Sequence, residues 1–115
     1  MCLLIDLDAG IRHAGGSRAL YLRFLRRFPA DPSFSDLRDA LQNGDVPRAF
    51  LCAHTFKGLA AQLGLAALCG PADALCELLR PLDPAALPAC IALCASLAPV
   101  YENTLRAISS IEDYP

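Results

Sequence analysis

Several features of membrane and exported proteins are scarce in this chain of 115 residues. Arg, Asp and Pro interrupt the apolar segments so often that no run approaches the roughly 18 uninterrupted apolar residues of a membrane-spanning helix. The N-terminus has no basic residue ahead of its short apolar run, and that run ends at Asp6, so a secretory signal peptide is not indicated. We therefore expect a cytoplasmic protein that does not bind a membrane.

Positive charge is not in excess either, because the formal net charge is -2. Most basic residues are scattered, and the one group, Arg23, Arg26 and Arg27, is typical of the solvated face of a helix. The chain therefore has no general electrostatic attraction for nucleic acid, and we expect no nucleic-acid partner.

Closely spaced cysteine pairs are missing as well, since none of the six cysteines forms a CxxC pair. Cys90 and Cys94 are close enough in sequence to present two thiolates on one helical face, but a structural zinc site needs about four ligands and neither histidine is near them. We interpret the cysteines as small core residues and predict no metal site. A thiol-based metal or redox sensor is the alternative for this set.

Alternation of apolar and polar residues with a period of two is absent over any useful length, which predicts an all-α chain. Apolar residues at helical spacing predict helices joined by short loops, at residues 6–14, 18–28, 33–43, 46–63 and 84–111, with residues 65–80 only partly helical. Such a set favours an antiparallel bundle with short additional helices at the N-terminus, as one domain over residues 1–115.

Local signals place the helix ends. Ser33 and Asp36 have the spacing of a weak capping box at the start of one helix, and Gly44 is suited to the left-handed stop at its end. Asp45 is the expected N-cap of the next helix, which should end at Gly64.

Prolines predict irregular helices in the second half of the chain. Pro71 should divide residues 65–80 into a short helical turn and a restart. Pro88 and Pro99 should make the first turn of the last helix irregular and its middle kinked.

One stretch, residues 53–64, places a nucleophile, a cation and a bare backbone position on one helical face. At about 100° per residue, Lys57 and Gly58 lie one turn beyond His54 and on either side of it. Phe56 and Ala60 belong to the apolar stripe on the opposite face, which is typical of packing against a core. We therefore predict that His54 points to solvent.

The residues around His54 are small or apolar rather than charged. Phe50, Leu51, Ala61 and Leu65 surround the imidazole on the predicted face, with the polar Gln62 at the border. An exposed histidine in such surroundings is typical of a surface that docks another protein. The second histidine, His13, has no comparable neighbours and is interpreted as an exposed residue at a helix end.

This stretch resembles the signature of a known family. Residues 53–58 read AHTFKG and residues 59–64 read LAAQLG, which is similar to the AHxLKGxxxxxG motif of histidine-containing phosphotransfer (HPt) domains. Residues 15–17 and 20–25 are similar to the segment that precedes this motif, so the likeness covers about residues 5 to 80. It implies an up-down four-helix bundle and a role in the multistep phosphorelays of two-component signalling.

By this resemblance, His54 would accept a phosphoryl group from an aspartyl phosphate of one receiver domain and pass it to an aspartate of another. Lys57 and Gly58 match the family motif position by position. A neutral imidazole is a competent nucleophile near pH 7, and a nearby ammonium can neutralise charge on the transferred group. Gly58 costs a helix about 1 kcal/mol relative to Ala, which makes sense if a partner must come close to the imidazole.

The resemblance also implies what the chain would not supply. The Mg²⁺ ion and the acidic residues would belong to the receiver, so we expect no cofactor here and a phosphoryl carrier rather than an enzyme. The expected partners are a response-regulator receiver domain, a hybrid histidine kinase, or both, and we expect a monomer.

One departure from the family pattern leaves an alternative open. Many members have a glutamine on the following helix that contacts the histidine, whereas the corresponding stretch here is Cys76-Glu77; Glu77 or Gln62 could take its place. The alternative function is an HPt-like interaction module that binds a kinase or receiver without being phosphorylated. A retained histidine with a lysine three residues later argues against it, since a pure binding module needs no nucleophile.

Overall fold

The computed structural model describes residues 4–111, and this part of the chain is helical without strands. The α-helices are α1 Leu7–His13, α2 Arg18–Arg27, α3 Ser33–Gln42, α4 Val46–Gln62, α5 Ala66–Leu79 and α6 Leu87–Ser110. Short 3₁₀ turns cover Phe28–Ala30 and Pro84–Ala86. The prediction of an all-α chain is confirmed.

Helices α3 to α6 form a bundle around the core. Each packs against the next in chain order, and α3 also contacts α6, so the four helices enclose one apolar interior. Side chains from all four, among them Leu37, Phe56, Leu75 and Leu97, are at most 1% exposed there. The loops between α3 and α4 and between α4 and α5 are short, which favours antiparallel neighbours; the up-down order stays a prediction.

An aromatic cluster joins α3, α4 and α6 in this core. The Phe34 and Tyr101 rings stack with centroids 4.3 Å apart, and the Phe56 ring lies 5.3 Å from Phe34. Phe28, from the turn after α2, lies 5.9 Å from Tyr101. Aromatic contacts of this kind contribute beyond the area they bury. They hold the inner face of α4, so its outer face is fixed in direction.

The N-terminal part of the chain is hydrogen-bonded to the C-terminal end of α4 through Asp6 and Tyr21, two contacts that we call the clamp. The Asp6 amide donates a hydrogen bond to the Gly64 carbonyl over 2.6 Å, and the buried Tyr21 hydroxyl donates to the Leu63 carbonyl over 2.7 Å. Burial raises the pKa of Tyr21 to about 12. The two contacts satisfy carbonyls that the end of a helix otherwise leaves unpaired.

The predicted ends of α4 are confirmed, and one predicted cap of α3 is wrong. Gly44 and Gly64 have φ of 70° and 68°, and the Asp45 carboxylate accepts a hydrogen bond from the Arg48 amide. At α3, however, Pro32 is the N-cap and makes no side-chain bond. The Ser33 amide, which a capping box assigns to the Asp36 carboxylate, donates a hydrogen bond to the Asp31 carboxylate over 2.8 Å instead, and the Ser33 hydroxyl makes no hydrogen bond within residues 4–111.

The predicted break at Pro71 is also wrong, because α5 runs through it. A proline inside a helix costs about 3 kcal/mol. Each fully buried leucine contributes about 1.5–3 kcal/mol, and α5 buries Leu68, Leu75 and Leu79 against its neighbours. Packing therefore exceeds the local cost of the proline.

Helix α6 likewise continues through Pro99, and Pro88 lies in its first turn, where a missing amide costs little. The kink at Pro99 stays a prediction. By length and apolar composition, the segment Pro84–Ser110 would suffice to cross a membrane, a test that core helices of soluble bundles also pass. Cys90, Cys94 and Leu97 of this helix are buried in the bundle core. The absence of a membrane partner remains a prediction.

The α2 arginines and the cysteines mostly follow their predicted roles. Arg23, Arg26 and Arg27 are exposed on α2.

Among the cysteines of residues 4–111, three are buried in the core, and Cys52 and Cys69 are half-buried. Cys2 lies outside the described residues. Burial raises the pKa of the Cys90 and Cys94 thiols, which favours the neutral form that suits a core side chain.

Candidate functional site

His54 lies midway along α4 on its solvent face. Its neighbour Ala53 and the next inward residue, Phe56, are 0% exposed, whereas His54 is exposed. The stripe that packs α4 into the bundle therefore turns the imidazole outward, and the predicted orientation is confirmed. A second molecule can reach the ring without any rearrangement of the fold.

An aromatic ring lies on one side of the imidazole. The Phe50 ring, one helical turn earlier, meets the His54 ring edge-on with centroids 6.2 Å apart. The Arg80 guanidinium of α5 lies 5.8 Å from the Phe50 ring centroid, a cation–π distance. The Phe50 ring therefore contacts both the His54 ring on α4 and the Arg80 side chain on α5.

The cation of the motif is tied to the neighbouring helix. The Lys57 ammonium lies 2.8 Å from the Asp73 carboxylate of α5. Its hydrogen bond to Asp73, and then the negative charge of that carboxylate, raise the pKa of Lys57, so the ammonium stays charged near neutral pH. The Lys57 side chain is 39% exposed, so it borders both the α4–α5 groove and solvent.

Gly58 leaves a gap on the other side of His54. It is exposed, and a Cβ placed there would meet no atom within 4 Å. Nothing in the described part of the chain therefore requires glycine at this position for packing. Glycine inside a helix is unfavourable, so α4 carries a local cost here that no packing contact within residues 4–111 explains.

All but one of the residues predicted to form a docking surface are at least partly exposed; their docking role stays a prediction. Leu51 is 65% exposed, Ala61 and Gln62 are exposed, and Phe50 is half-buried. We call these four residues, with Lys57 and Gly58, the docking face. Leu65 does not belong to it, because Leu65 is 0% exposed. The periodicity of α4 does not apply to Leu65, because α4 ends before Gly64 and the chain turns inward there to begin α5.

Of Glu77 and Gln62, which could take the place of the family glutamine, Glu77 has another side-chain partner. The Glu77 carboxylate binds the Arg80 guanidinium at 2.9 Å, and Cys76 is fully buried. The Gln62 backbone carbonyl lies 3.2 Å from a ring nitrogen of His13, which is exposed at the end of α1 as predicted. Within residues 4–111, the side chain that contacts the His54 ring is Phe50, and neither Glu77 nor Gln62 is found in contact with it.

Sequence reasoning missed Asp73 and Arg80. Both lie on the α5 face that meets α4, and each contacts a side chain beside His54. A helical reading of residues 73–80 would have placed Asp73, Glu77 and Arg80 on one face. That face was not linked to His54, because the packing of α5 against α4 is not visible in the sequence.

Within residues 4–111, no group of three or more His, Cys, Asp and Glu side chains could hold a metal ion. The exposed imidazole, the charged ammonium and the open glycine position are therefore the chemical groups offered by this face. A nucleophile beside a cation, with room for another molecule, suits the transfer of an anionic group.

A family model described as "Hpt domain" matches residues 20–110 of the chain. The match includes the whole of α3 to α6 and the segment that carries His54. No curated protein and no solved structure matches the chain significantly.

Proposed function

Since the chain belongs to the Hpt domain family, whose members carry phosphoryl groups in two-component phosphorelays, we propose that His54 is its phosphoryl-accepting residue. The observation that carries this proposal is the exposed imidazole in mid-helix, with Lys57 and the open Gly58 position one turn away. The chain is then a carrier between two partners rather than an enzyme with its own substrate.

In the first step, the lone pair of a neutral His54 ring nitrogen forms a bond to the phosphorus of an aspartyl phosphate on a receiver domain. The bond between that phosphorus and the aspartyl oxygen breaks, and its electron pair stays on the receiver carboxylate. The other ring nitrogen of His54 keeps its proton. The reverse reaction with the aspartate of a second receiver completes the relay, so no oxidant, reductant or water is consumed.

Lys57 supports this transfer electrostatically. The transition state is loose, with charge spread over the three equatorial oxygens of the phosphoryl group, and a fixed ammonium neutralises part of that charge. Lys57 belongs to the same helix as His54, one turn away, so α4 sets the spacing of the two backbone positions, and the lysine side chain is long enough to turn its ammonium toward the phosphoryl group.

The docking face suits a receiver that brings the rest of the machinery. Leu51 offers exposed apolar area, and Gly58 lets the partner's active site approach the imidazole. The Mg²⁺ ion and the acidic residues come from the receiver, because Mg²⁺ prefers carboxylate and phosphate oxygens and the docking face has no carboxylate of its own. A monomer leaves this face free, and a hybrid histidine kinase with its own receiver would use it in the same way.

The test is phosphorylation of His54. A purified receiver domain carrying aspartyl phosphate is incubated with the protein, and we expect acid-labile, base-stable phosphate on the wild-type chain. The variant His54→Gln should take up none, while its thermal unfolding stays close to wild type because the side chain is exposed.

The chain offers a matched control, because its sequence has two histidines. His13→Gln should retain the full label. Labelling of His54→Gln, or loss of label in His13→Gln, would contradict the proposal. A wild-type chain that binds the receiver and takes up no phosphate would instead be a non-phosphorylated interaction module.

A further inference from the structure

The Lys57 ammonium, which the proposed function assigns to the phosphoryl group, already has a partner in the unphosphorylated protein. Its nitrogen lies 2.8 Å from the Asp73 carboxylate, and the two side chains are 39% and 54% exposed. The contact crosses from α4 to α5, so it depends on how the two helices pack. It is a contact of the folded state and not of the isolated helix.

The Lys57–Asp73 ion pair lies on one side of His54, between α4 and α5. Lys57 and Phe50 lie on the same flank of the imidazole, and both contact α5 side chains, Asp73 and Arg80 respectively. Helix α5 therefore borders this flank of His54. The ion pair with Asp73 draws the ammonium across the groove toward α5, whereas a phosphoryl group on His54 would lie outward, on the solvent side of α4.

A phosphoryl group on His54 adds between about one and two negative charges within reach of Lys57. It competes with the Asp73 carboxylate for the same ammonium. We infer that Asp73 is a positioning residue that restrains Lys57 and so opposes phosphorylation of His54, setting how far the phosphoryl equilibrium lies toward this chain. The inference rests on the proposed function and adds to it a residue outside the family motif.

Thermodynamic linkage gives the direction and the size of the effect of Asp73 on the phosphorylation equilibrium of His54. Any stabilisation that the Lys57–Asp73 pair has in the unphosphorylated state must be given up or shared on phosphorylation, and this loss disfavours the phosphorylated state. Exposed ion pairs of this kind change an equilibrium by up to about fivefold. Removal of the Asp73 charge should therefore raise the ratio of phosphorylated to unphosphorylated His54 by about two- to fivefold.

The experiment measures this ratio without a receiver, using phosphoramidate as phosphoryl donor. The phosphorus–nitrogen bond of phosphoramidate breaks, a bond from His54 to phosphorus forms, and ammonia leaves. Fixed concentrations of phosphoramidate and ammonia therefore define an equilibrium, and ³¹P NMR of the full chain gives the ratio. We expect Asp73→Asn to raise it about two- to fivefold and Asp73→Glu, which keeps the carboxylate, to stay near wild type.

Glu77→Gln is the matched control. Glu77 is an exposed carboxylate one turn further along α5, but it binds Arg80 at 2.9 Å rather than Lys57. Glu77→Gln removes one negative charge from α5, as Asp73→Asn does, but it leaves the Lys57–Asp73 ion pair in place. The ratio should therefore change less in Glu77→Gln than in Asp73→Asn.

A double-mutant cycle tests whether Asp73 acts through Lys57. In a Lys57→Ala background, Asp73→Asn should leave the ratio unchanged. An unchanged or lower ratio in Asp73→Asn, an equal rise in Glu77→Gln, or a rise that persists without Lys57 would each overturn the inference. If the wild-type chain takes up no phosphate from phosphoramidate or from a receiver, the proposed function fails and the inference with it. Normal loading of the wild type with no response to Asp73→Asn overturns the inference alone.

Discussion

Replacement of Gly58 by alanine should make the protein more stable and a poorer phosphotransfer partner. Gly58 is exposed in the interior of α4, and an added Cβ meets no atom within 4 Å. Alanine is better than glycine in a helix by up to about 1 kcal/mol. We expect the free energy of unfolding to rise by about 0.5–1 kcal/mol, with a rise in melting temperature of roughly 2–5 °C for a domain of this size.

The effect on transfer should have the opposite sign. If a receiver approaches His54 closely enough to need the gap, each added side-chain atom at position 58 lies in the contact. Overpacking by one or a few side-chain atoms costs about 1–3 kcal/mol, which corresponds to about a 5- to 150-fold loss in the rate constant for transfer at low receiver concentration. Gly58→Ala should show the small end of this range, and Gly58→Gln the large end.

Two assays on the same preparations separate these effects. Thermal unfolding followed by circular dichroism gives stability, and phosphate transfer from a labelled receiver gives the rate. Gly70→Ala is the matched control, since Gly70 is also exposed within a helix with open space around its Cβ position. It should leave transfer unchanged. Its gain in stability should be smaller, because alanine before Pro71 is disfavoured in helical backbone.

Either assay can refute the reasoning. A lower melting temperature in Gly58→Ala would mean that position 58 is crowded, contrary to the open space around its Cβ position. Unchanged transfer in Gly58→Gln would mean that the receiver does not approach over this side of His54. Equal losses of transfer in the Gly58 and Gly70 variants would point to a general effect on the fold.

Two further predictions concern the clamp at the end of α4. Gly64→Ala should lower the free energy of unfolding by more than about 2 kcal/mol, because its φ of 68° is unfavourable for alanine and the new Cβ would overlap the Asp6 carbonyl; unfolding in urea measures this, and a loss below about 0.5 kcal/mol would contradict it. Tyr21 has its pKa raised to about 12 in the folded chain, so the folded state holds the phenol proton more tightly than the unfolded state. The resulting stability is complete below about pH 10 and is lost as the pH rises toward 12. The melting temperature of Tyr21→Phe should therefore fall less steeply than that of wild type over this range, and parallel slopes would show that Tyr21 does not titrate as described.

The ends of α4 and the exposed side of the helix that carries His54 could be predicted because their signals are local. Asp45, Gly44 and Gly64 act on the backbone within a few residues, and all three have the predicted roles. The apolar stripe of α4 repeats with helical period, so the outward direction of His54 follows from the same pattern. These signals depend little on the rest of the fold.

The course of α5 could not be predicted in this way. Pro71 has a local cost that argues for a break, and only the packing of α5 against α4 and α6 exceeds it. The burial of Leu65 follows from the turn between the two helices, which periodicity along α4 does not describe. At the start of α3, the Asp31 carboxylate binds the Ser33 amide that a capping box assigns to Asp36.

The amino-acid sequence by itself determined the helical class, the ends of α4 and the side of that helix on which His54, Lys57 and Gly58 lie, because helix period and capping act over a few residues. Only the tertiary structure decided which side chains of α5 meet that face. The register between two packed helices depends on the whole core, so the pairing of Lys57 with Asp73 and of Phe50 with Arg80 has no short-range signal in the sequence.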